Sequence, residues 1–288
     1  MSNFDAAELT IGDVADRTGI PASTLRMWES RYGFPAPRRS GGTHRRYTDE
    51  DCRAILEMKR ARERGLPMGR AVSSGLAAVR SAQDSLFNGL RLRHPDLPVL
   101  LLPQAFMLAL SAALETTALG HPDGILVGAF QRAAAYAAAE PRWARLSETA
   151  SALVTFADFP QPERDGNSWK IPTRAGTALA AEWAVVCDTP HWWGCLVGRE
   201  IPHAARRPHR RRTFEAMWSL DPLVVRDASR IAASLGAAVA PDLGDALVGR
   251  LQHQPRVRAS TLGEASHFTN RVLEHLLGAA RTAAGRGA

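Results

Sequence analysis

The densest set of chemically active side chains lies between residues 31 and 70, where eleven basic and five acidic residues give a net charge of +6. All the basic residues except Lys59 are arginines. Arginine carries a planar fork of donors that fits phosphate oxygens and guanine edges. The segment therefore indicates a surface that binds a polyanion such as DNA, and a solvated basic face is the alternative.

Two short helices joined by a glycine turn must position these arginines. Thr10 is typical of an N-cap, with Asp13 three residues on as its capping-box partner. Gly19 ends the first helix, and the second runs over about residues 21–30, which is a helix-turn-helix pattern. The second helix turns Leu25 and Trp28 inward. Its predicted outward side chains are Ser23, Thr24, Arg26 and Met27.

The stretch from Arg31 to Tyr47 follows the second helix and contains no acidic residue. Its prolines at 35 and 37 and the glycine pair at 41 and 42 exclude a helix, so it predicts a basic hairpin, or wing. Thr48 then begins another helix with three acids in its first turn, and Gly65 ends it.

Two motifs resemble the MerR family of bacterial transcription regulators. They are Thr24-Leu25-Arg26-Met27-Trp28-Glu29 and Gly42-Thr43-His44-Arg45-Arg46-Tyr47-Thr48. The run Trp28-Glu29-x-Arg31-Tyr32-Gly33-Phe34-Pro35 is most similar to the light-responsive CarH/LitR branch. The resemblance covers residues 9 to about 72. It implies a winged helix-turn-helix that binds a near-palindromic element in double-stranded promoter DNA as a homodimer, with RNA polymerase as a further partner.

The resemblance and the basic pattern together give a set of expected DNA-binding residues. Those on the second helix approach base edges or nearby phosphates, and those on the wing contact the DNA backbone. The set is Ser23, Thr24, Arg26, Arg31, Tyr32, Arg38, Arg39, His44, Arg45, Arg46 and Tyr47. Trp28 departs from the family, in which many members have Tyr. Met68–Arg80 is also short and holds Gly69 and Gly75, which are poor residues for a sustained helix, so later segments are expected to supply the dimer contact.

Residues 81–258 mix apolar strand-like runs with helices, which predicts an α/β domain. Buried strands are expected at Pro98–Leu102, Ile125–Phe130, Ala184–Asp188, Trp192–Arg199 and Phe214–Ser219. Helices are expected at Gln104–Leu119, at Ala133–Phe156 with an interruption near Pro141, and after an N-cap at Asp221 with Pro222 at the first position. Thr189-Pro190-His191 is typical of a hairpin connection.

This element order resembles the DICT sensory domain over roughly residues 85–240. Glu115 on an early helix and the late motif Phe214-Glu215-x-x-Trp218-Ser219-x-Asp221-Pro222 carry the resemblance. It implies a sensory role, and the signal, a small molecule or a protein, stays unknown. The Asp-x-His-x-x-Gly cobalamin loop of the CarH/LitR branch does not occur after residue 80, and His121-Pro122-Asp123-Gly124 has the wrong order. The cofactor is therefore left unknown.

Five of the seven tryptophans fall between residues 169 and 218. They could line a ligand pocket or simply pack in the core, because buried aromatic residues usually only pack. The candidate pocket residues are Glu115, Trp183, His191, Trp192, Trp193 and Trp218. Cys187, His191 and Cys195 offer three zinc-type ligands if their strands pair, but no fourth ligand is evident, so buried thiols are favoured and no metal site is assigned.

Two further segments leave alternatives open. Arg206–Arg212 is the densest basic run and is either an exposed hairpin loop or a contact with DNA phosphates or an anionic effector. Residues 259–288 predict an amphipathic helix that either forms a dimer contact or packs on its own domain. Its apolar face is Ala265, Phe268, Val272, Leu276 and Ala280.

The sequence therefore predicts an N-terminal all-α winged helix-turn-helix, residues 1–80, an α/β sensory domain, residues 81–258, and a C-terminal helix and tail, residues 259–288. Hydrophobic residues at 45% and charged residues at 23% indicate a folded chain. No signal peptide, membrane span or catalytic motif is evident, which favours a cytoplasmic transcription regulator. An enzyme or a protein-binding adaptor that carries a DNA-binding module is the alternative.

Overall fold

The computed structural model describes residues 9–40, 44–201, 212–252 and 267–276, with the backbone alone at residues 38–40 and 44. The N-terminal domain contains α1 (Ile11–Thr18), α2 (Ala22–Tyr32), β1 (Arg38–Ser40), β2 (His44–Arg46), α3 (Asp49–Glu63) and α4 (Met68–Gln83). The predicted capping boxes are confirmed, because Thr10 with Asp13 begins α1 and Thr48 with Asp51 begins α3.

Glycines in the left-handed region end the first two helices. Gly19 has a φ of 67° and Gly33 a φ of 64°, so each reverses the chain at the end of its helix. The core beneath these helices includes Val14, Leu25 and Ile55, each at most 1% exposed. This shared core holds α1, α2 and α3 together in one unit.

The expectation that residues 68–80 are poorly helical is wrong. They form most of the 16-residue helix α4, which packs closely along α3. A Cβ atom at Gly75 would lie 2.4 Å from the Ala54 carbonyl oxygen, so the missing side chain lets the two helices approach. The packing gained at this approach outweighs the low helix propensity of glycine.

The second domain is an eight-stranded mixed sheet with the strand order β3-β10-β9-β8-β4-β5-β7-β6. Its strands are β3 (Leu100–Pro103), β4 (Ile125–Phe130), β5 (Ala152–Ala157), β6 (Glu163–Asp165), β7 (Ser168–Pro172), β8 (Glu182–Asp188), β9 (Trp193–Glu200) and β10 (Thr213–Ser219). β5 pairs in parallel with β4 and β7, and the other neighbours are antiparallel.

Helices cover both faces of the sheet, which confirms the α/β class. One core contains side chains of α5 (Leu86–Arg93), α8 (Pro222–Ala237) and α9 (Pro241–Gln252), and the opposite core contains those of α6 (Gln104–Ala118) and α7 (Ala133–Ser147). Asp221 accepts a hydrogen bond from the Leu223 amide at 2.8 Å, as the predicted N-cap requires. The predicted hairpin between β8 and β9 is also confirmed.

Three predictions about this domain are corrected. The strand predicted as buried at Pro98–Leu102 is the edge strand β3, where Leu101 is 66% exposed. The helix predicted to extend to Phe156 ends at Ser147, after continuing through Pro141, and β5 follows it. β6 and β7 were not predicted, because their mixed polar sequences lack the apolar run of a central strand.

A last helix, α10, covers residues 267–276. Phe268 on it is 2% exposed and contacts the rings of Trp192 and Trp218, with centroids 6.2 and 6.0 Å away. Arg271 donates to Thr117 Oγ1 on α6 at 3.2 Å. The described part of the C-terminal helix therefore packs on its own domain. Ala265 and Ala280, and the Arg206–Arg211 part of the basic run, lie outside the described residues.

No helix in the described part of the chain combines the length and the apolar character needed to cross a membrane.

Candidate nucleic-acid interface

Helix α2 has a polar outer face, and its inner face is buried in the domain core. Ser23, Arg26 and Arg31 are exposed and Thr24 is half-buried, while Leu25 is 1% exposed and fixes the helix to the core. The 47% exposed Met27 adds an apolar patch on the outer side. Trp28 packs against the edge of the core. An exposed short helix with small polar groups and arginine can enter a major groove.

The two strands of the wing form an antiparallel hairpin beside α2. Arg38 pairs with Arg46, Arg39 with Arg45, and Ser40 with His44. The register places arginines opposite each other on both strands, so cationic residues are concentrated over a few ångströms of backbone. Gly42 and Thr43 of the family motif lie outside the described residues.

Arg45 connects the wing to α2. Its Nε donates to Glu29 Oε1 at 3.0 Å, and this hydrogen bond raises the pKa of the Arg45 guanidinium. The Arg45 side chain remains 50% exposed. Arg46 is half-buried. The Arg31 guanidinium lies over the half-buried Tyr32 ring, 5.6 Å from its centroid.

Tyr47 departs from its predicted phosphate contact. Its side chain is 1% exposed and belongs to the domain core, and its buried hydroxyl has no hydrogen-bond partner among the residues that the structure describes. The Tyr47 backbone bridges to Leu9 through two 2.9 Å hydrogen bonds. Tyr47 therefore supports the base of the wing. Burial is the largest cause of its raised pKa.

The sequence prediction missed the role of Glu29. The sequence did contain a signal for this role, because Glu29 is an acidic residue between two outward arginines, Arg26 and Arg31. Such an acid can form an ion pair with an arginine of the wing and hold it in place. The hairpin partner is sixteen residues away and becomes visible only with the fold.

The candidate tryptophan pocket is not assembled, because the residues divide between the two faces of the sheet. Trp192 belongs to the core beside α6 and α7, with Trp183 packed against it, and Trp193 belongs to the opposite core beside α5 and α8. His191 is exposed, and Trp218 is 38% exposed against Phe268. These aromatic residues therefore pack in the cores of the domain, which is the alternative to a ligand pocket.

Glu115 is buried and anchors one helix to another. Its Oε1 accepts from Trp143 Nε1 at 3.1 Å and its Oε2 from Arg142 Nε at 2.8 Å, both on α7. Trp183 Nε1 donates to Ser111 Oγ on α6 at 3.0 Å. These polar groups are satisfied within the domain, so they hold the α6 and α7 layer on the sheet.

Cys187 and Cys195 are buried thiols, as predicted, and the strand register keeps them apart. Cys195 pairs with Val186 and Cys187 with Gly194, so the two thiols point to opposite faces of the sheet. Burial raises the pKa of Cys195 to about 12, and it also raises the pKa of Cys187. Within the described ranges, no cluster of three His, Cys, Asp or Glu side chains could hold a metal ion.

A buried carboxylate joins the sheet to the segment between the domains. Glu182 on β8 accepts hydrogen bonds from the backbone amides of Leu86 and Phe87 at 2.9 and 3.1 Å, and from the Ser85 hydroxyl. It therefore caps the first turn of α5, directly after α4. Burial raises the pKa of Glu182 in spite of these bonds.

Comparison with known proteins agrees with both halves of the architecture. Residues 9–72 match the MerR HTH family regulatory protein, and residues 84–200 match the sensory domain in diguanylate cyclases and two-component system, DICT.

Individual relatives match over a short segment. The chain is 43% identical over 67 residues to the HTH-type transcriptional repressor CarA of Myxococcus xanthus, with 23% of each chain covered. It is 41% identical over 61 residues to the regulator MlrA of Escherichia coli strain K12, covering 21% of this chain and 25% of MlrA. The repressor CarH of M. xanthus is 34% identical over 61 residues, covering 21% and 20%. The chain thus spans at most a quarter of each of these relatives.

The fold and the basic surface define the class as a winged helix-turn-helix protein with an appended α/β domain. More specifically, the chain carries a MerR-family helix-turn-helix domain at its N-terminus and a DICT sensory domain after it.

Proposed function

We propose that this protein is a transcription regulator that binds a palindromic element in promoter DNA as a homodimer and responds to a signal sensed by its DICT domain. The observation that carries the proposal is the exposed polar face of α2 beside the arginine hairpin, held together by Arg45 and Glu29. The relatives CarA and CarH are described as transcriptional repressors and MlrA as a transcriptional regulator, which supports this assignment.

In this proposal α2 enters the major groove and the wing lies on the flanking phosphates. Ser23, Thr24 and Arg26 then approach base edges, while Arg31, Arg45 and Arg46 neutralise phosphates. We also propose that Tyr32, Arg38, Arg39 and His44 complete the phosphate-facing surface. Tyr47 acts from beneath the wing.

A second copy is proposed to cover the apolar edge of the sheet. Five large hydrophobic side chains are exposed on and beside β3 and the first turns of α6, namely Val99, Leu100, Leu101, Phe106 and Leu108. β3 is an edge strand of the sheet, and residues 97–114 carry no charge, so this segment brings no like charges together at a two-fold axis. Open strand edges of this kind pair readily with another chain.

The regulated partner is proposed to be RNA polymerase in the cytoplasm. In a two-fold symmetric dimer, each DNA-binding domain binds one half-site of the DNA element. A signal that favours one arrangement of the two DNA-binding domains then changes transcription from the promoter. Glu182 on the sensory sheet caps α5, which directly follows α4, so the sheet contacts the segment that leads out of the DNA-binding domain.

Footprinting on the promoter of the protein's own gene, followed by anisotropy on the protected fragment, tests the proposal. We expect a protected palindrome. Arg46→Ala should weaken binding to all DNA and flatten the logarithmic salt slope by about 1, because one phosphate contact is lost. Arg26→Ala should reduce discrimination between operator and random DNA by about 1–3 kcal/mol if Arg26 reads a base edge.

Arg145→Ala is the matched control, because Arg145 is exposed on α7 in the sensory domain and loses the same charge. We expect its salt slope to equal that of the wild type. An absence of any protected palindrome would reject the proposed function, and an unchanged slope for Arg46→Ala would reject the wing assignment.

A further inference from the structure

Met27 is an exposed apolar side chain at the centre of the outer face of α2. Its side chain is 47% exposed. Among the described residues of the N-terminal domain, it is the only large hydrophobic side chain that is exposed, and the others are buried or half-buried. Single exposed apolar residues are common on protein surfaces, so the position of Met27 decides what its exposure means.

Helical geometry places Met27 opposite the domain core. Leu25 is 1% exposed and packs in that core. Two residues further along a helix, a side chain is rotated by about 200°, so Met27 points away from the core. Ser23 lies one turn before Met27, and Arg26 and Arg31 lie on either side of it around the helix; all three are exposed. Met27 is therefore an apolar centre within a rim of hydroxyl and guanidinium groups.

A methionine in a major groove has few possible partners. Its thioether has no hydrogen to donate and is only a weak acceptor, so it gains little from the hydrogen-bonding groups on base edges. Among the four bases, thymine presents a methyl group in the groove, at C5. Contact between this methyl group and an apolar side chain is favourable because both surfaces leave water. The flexible methionine side chain can adjust its shape to such a contact.

We infer that Met27 is a specificity-determining residue that packs on the C5 methyl group of a thymine, so that the operator carries a T·A pair at one defined position of each half-site. The inference rests on the proposed function, in which α2 enters the major groove of a palindromic operator. It adds an apolar contact to the polar side chains of Ser23, Thr24 and Arg26. A base pair without the methyl group leaves Met27 against a polar edge and binds more weakly.

Removal of single thymine methyl groups from the operator tests the inference. Each thymine of the protected half-site is replaced in turn by uracil, in both half-sites at once, because uracil keeps the hydrogen-bonding groups of thymine and lacks its methyl group. Anisotropy titrations with the full chain measure the dissociation constants. At one position we expect the wild type to bind about tenfold more weakly, because one buried methyl contact is lost in each half-site.

Substitutions of Met27 connect that position to this side chain. Met27→Ala is too short to reach the methyl group, and it should bind the thymine and uracil operators with equal affinity. Met27→Gln matches methionine in length, but its polar amide gains nothing from the methyl group, so it should also lose the preference. Met27→Leu stays apolar and should keep it. All three are substitutions at an exposed helix position, which seldom affect folding.

Leu273→Ala is the matched control for the loss of an exposed apolar side chain. Leu273 is 51% exposed on α10, outside the N-terminal domain. We expect this variant to keep the wild-type ratio of thymine-operator to uracil-operator affinity. Because all variants are measured on the same DNA fragments, any effect of uracil on the flexibility of the DNA itself cancels in the comparison.

The inference is overturned if no uracil substitution weakens binding by the wild type. It is also overturned if the uracil substitution that weakens the wild type weakens Met27→Ala by the same factor. Either result leaves the protected operator, and with it the proposed function, in place. A chain that protects no operator would reject the proposed function and the inference together, so the two failures are distinguishable.

Discussion

Arg45 Nε on the wing strand β2 donates to Glu29 Oε1 on helix α2 at 3.0 Å. The pair links the element expected to read base edges with the element expected to hold phosphates. Arg45 is 50% exposed, so the pair contributes little to folding stability. Its effect is to connect the wing to the helix and to offset one positive charge on the surface that we propose faces DNA.

Replacing Glu29 with alanine should therefore make DNA binding tighter on random sequences and less selective. The substitution removes a negative charge and releases Arg45 for a phosphate, so the salt slope should steepen by about 1. The loosened wing should lower the ratio of operator to random affinity. Anisotropy titrations over a salt series on both DNA fragments measure the two quantities.

Glu57→Ala is the matched control, because Glu57 on α3 pairs with Arg60 on the same helix and with Arg64 directly after it, not with a residue of α2 or the wing. It makes the same charge change, and we expect its selectivity to equal that of the wild type. Equal salt slopes for Glu29→Ala and the wild type would show that Arg45 does not exchange Glu29 for a phosphate.

Two glycines of α4 should respond in opposite ways to alanine. Gly75→Ala places a methyl group 2.4 Å from the Ala54 carbonyl oxygen, so the helices must separate and stability should fall by about 1–3 kcal/mol. At Gly69, apart from its chain neighbours and its own helix backbone, no atom of the described residues lies within 4 Å of the added Cβ, and Gly69→Ala should raise stability by up to about 1 kcal/mol. Urea unfolding followed by circular dichroism gives both values. Similar losses at the two positions would show that helix propensity, and not the α3 contact, sets the requirement for Gly75.

The same two glycines show why the sequence misjudged α4. Helix propensity treats both as unfavourable, but Gly75 is needed for a contact with Ala54, twenty-one residues away in the chain. Local signals succeeded where the interaction itself is local, as in the capping boxes of Thr10 and Thr48. Where the deciding contact is distant in the sequence, as between Gly75 and Ala54, tertiary packing overrides the local signal.

The predicted site shows the same division. An outward face on α2 follows from helical periodicity, and the structure places Ser23 and Arg26 there. The prediction of a tryptophan pocket was wrong because adjacent residues of an extended chain point to opposite faces of the sheet. Trp192 and Trp193 therefore belong to different cores. Arg53 on α3 and Arg230 on α8 line one cleft between the two domains. This cleft could not be predicted, because the two residues are far apart in the sequence.

Glu182 should give the folded protein a specific pH dependence. Its pKa is raised from the ordinary value of 4.5, mainly by burial. An acid whose pKa is raised on folding contributes stability that is fully present below the unfolded value and is lost as pH rises through the folded value. The stability of the wild type relative to Glu182→Gln should therefore be greatest below about pH 4.5 and should decrease as pH rises. Urea unfolding across this pH range measures the difference.

Asp227→Asn provides a control of opposite sign. Burial raises the pKa of Asp227, but the hydrogen bond from His94 and the charges of Arg93 and Arg230 outweigh it, so the net pKa is lowered from 3.8. The advantage of the wild type over Asp227→Asn should be present above that value and should be lost as pH falls. If both variants show the same direction, the assignment of the pH dependence to these two carboxylates is wrong.

The exposed edge of the sheet should form the dimer contact. Leu101 on β3 is 66% exposed and is surrounded by other exposed apolar side chains of β3 and α6, whereas Leu273 on α10 is 51% exposed on a helix whose inner face already packs on the domain. Leu101→Glu places two like charges near a two-fold axis and should convert the dimer to a monomer, while Leu273→Glu should leave the dimer intact. Sedimentation equilibrium measures both masses, and operator binding by Leu101→Glu should weaken because only one half-site is then held. A dimeric Leu101→Glu together with a monomeric Leu273→Glu would place the contact on α10 and reject the sheet edge.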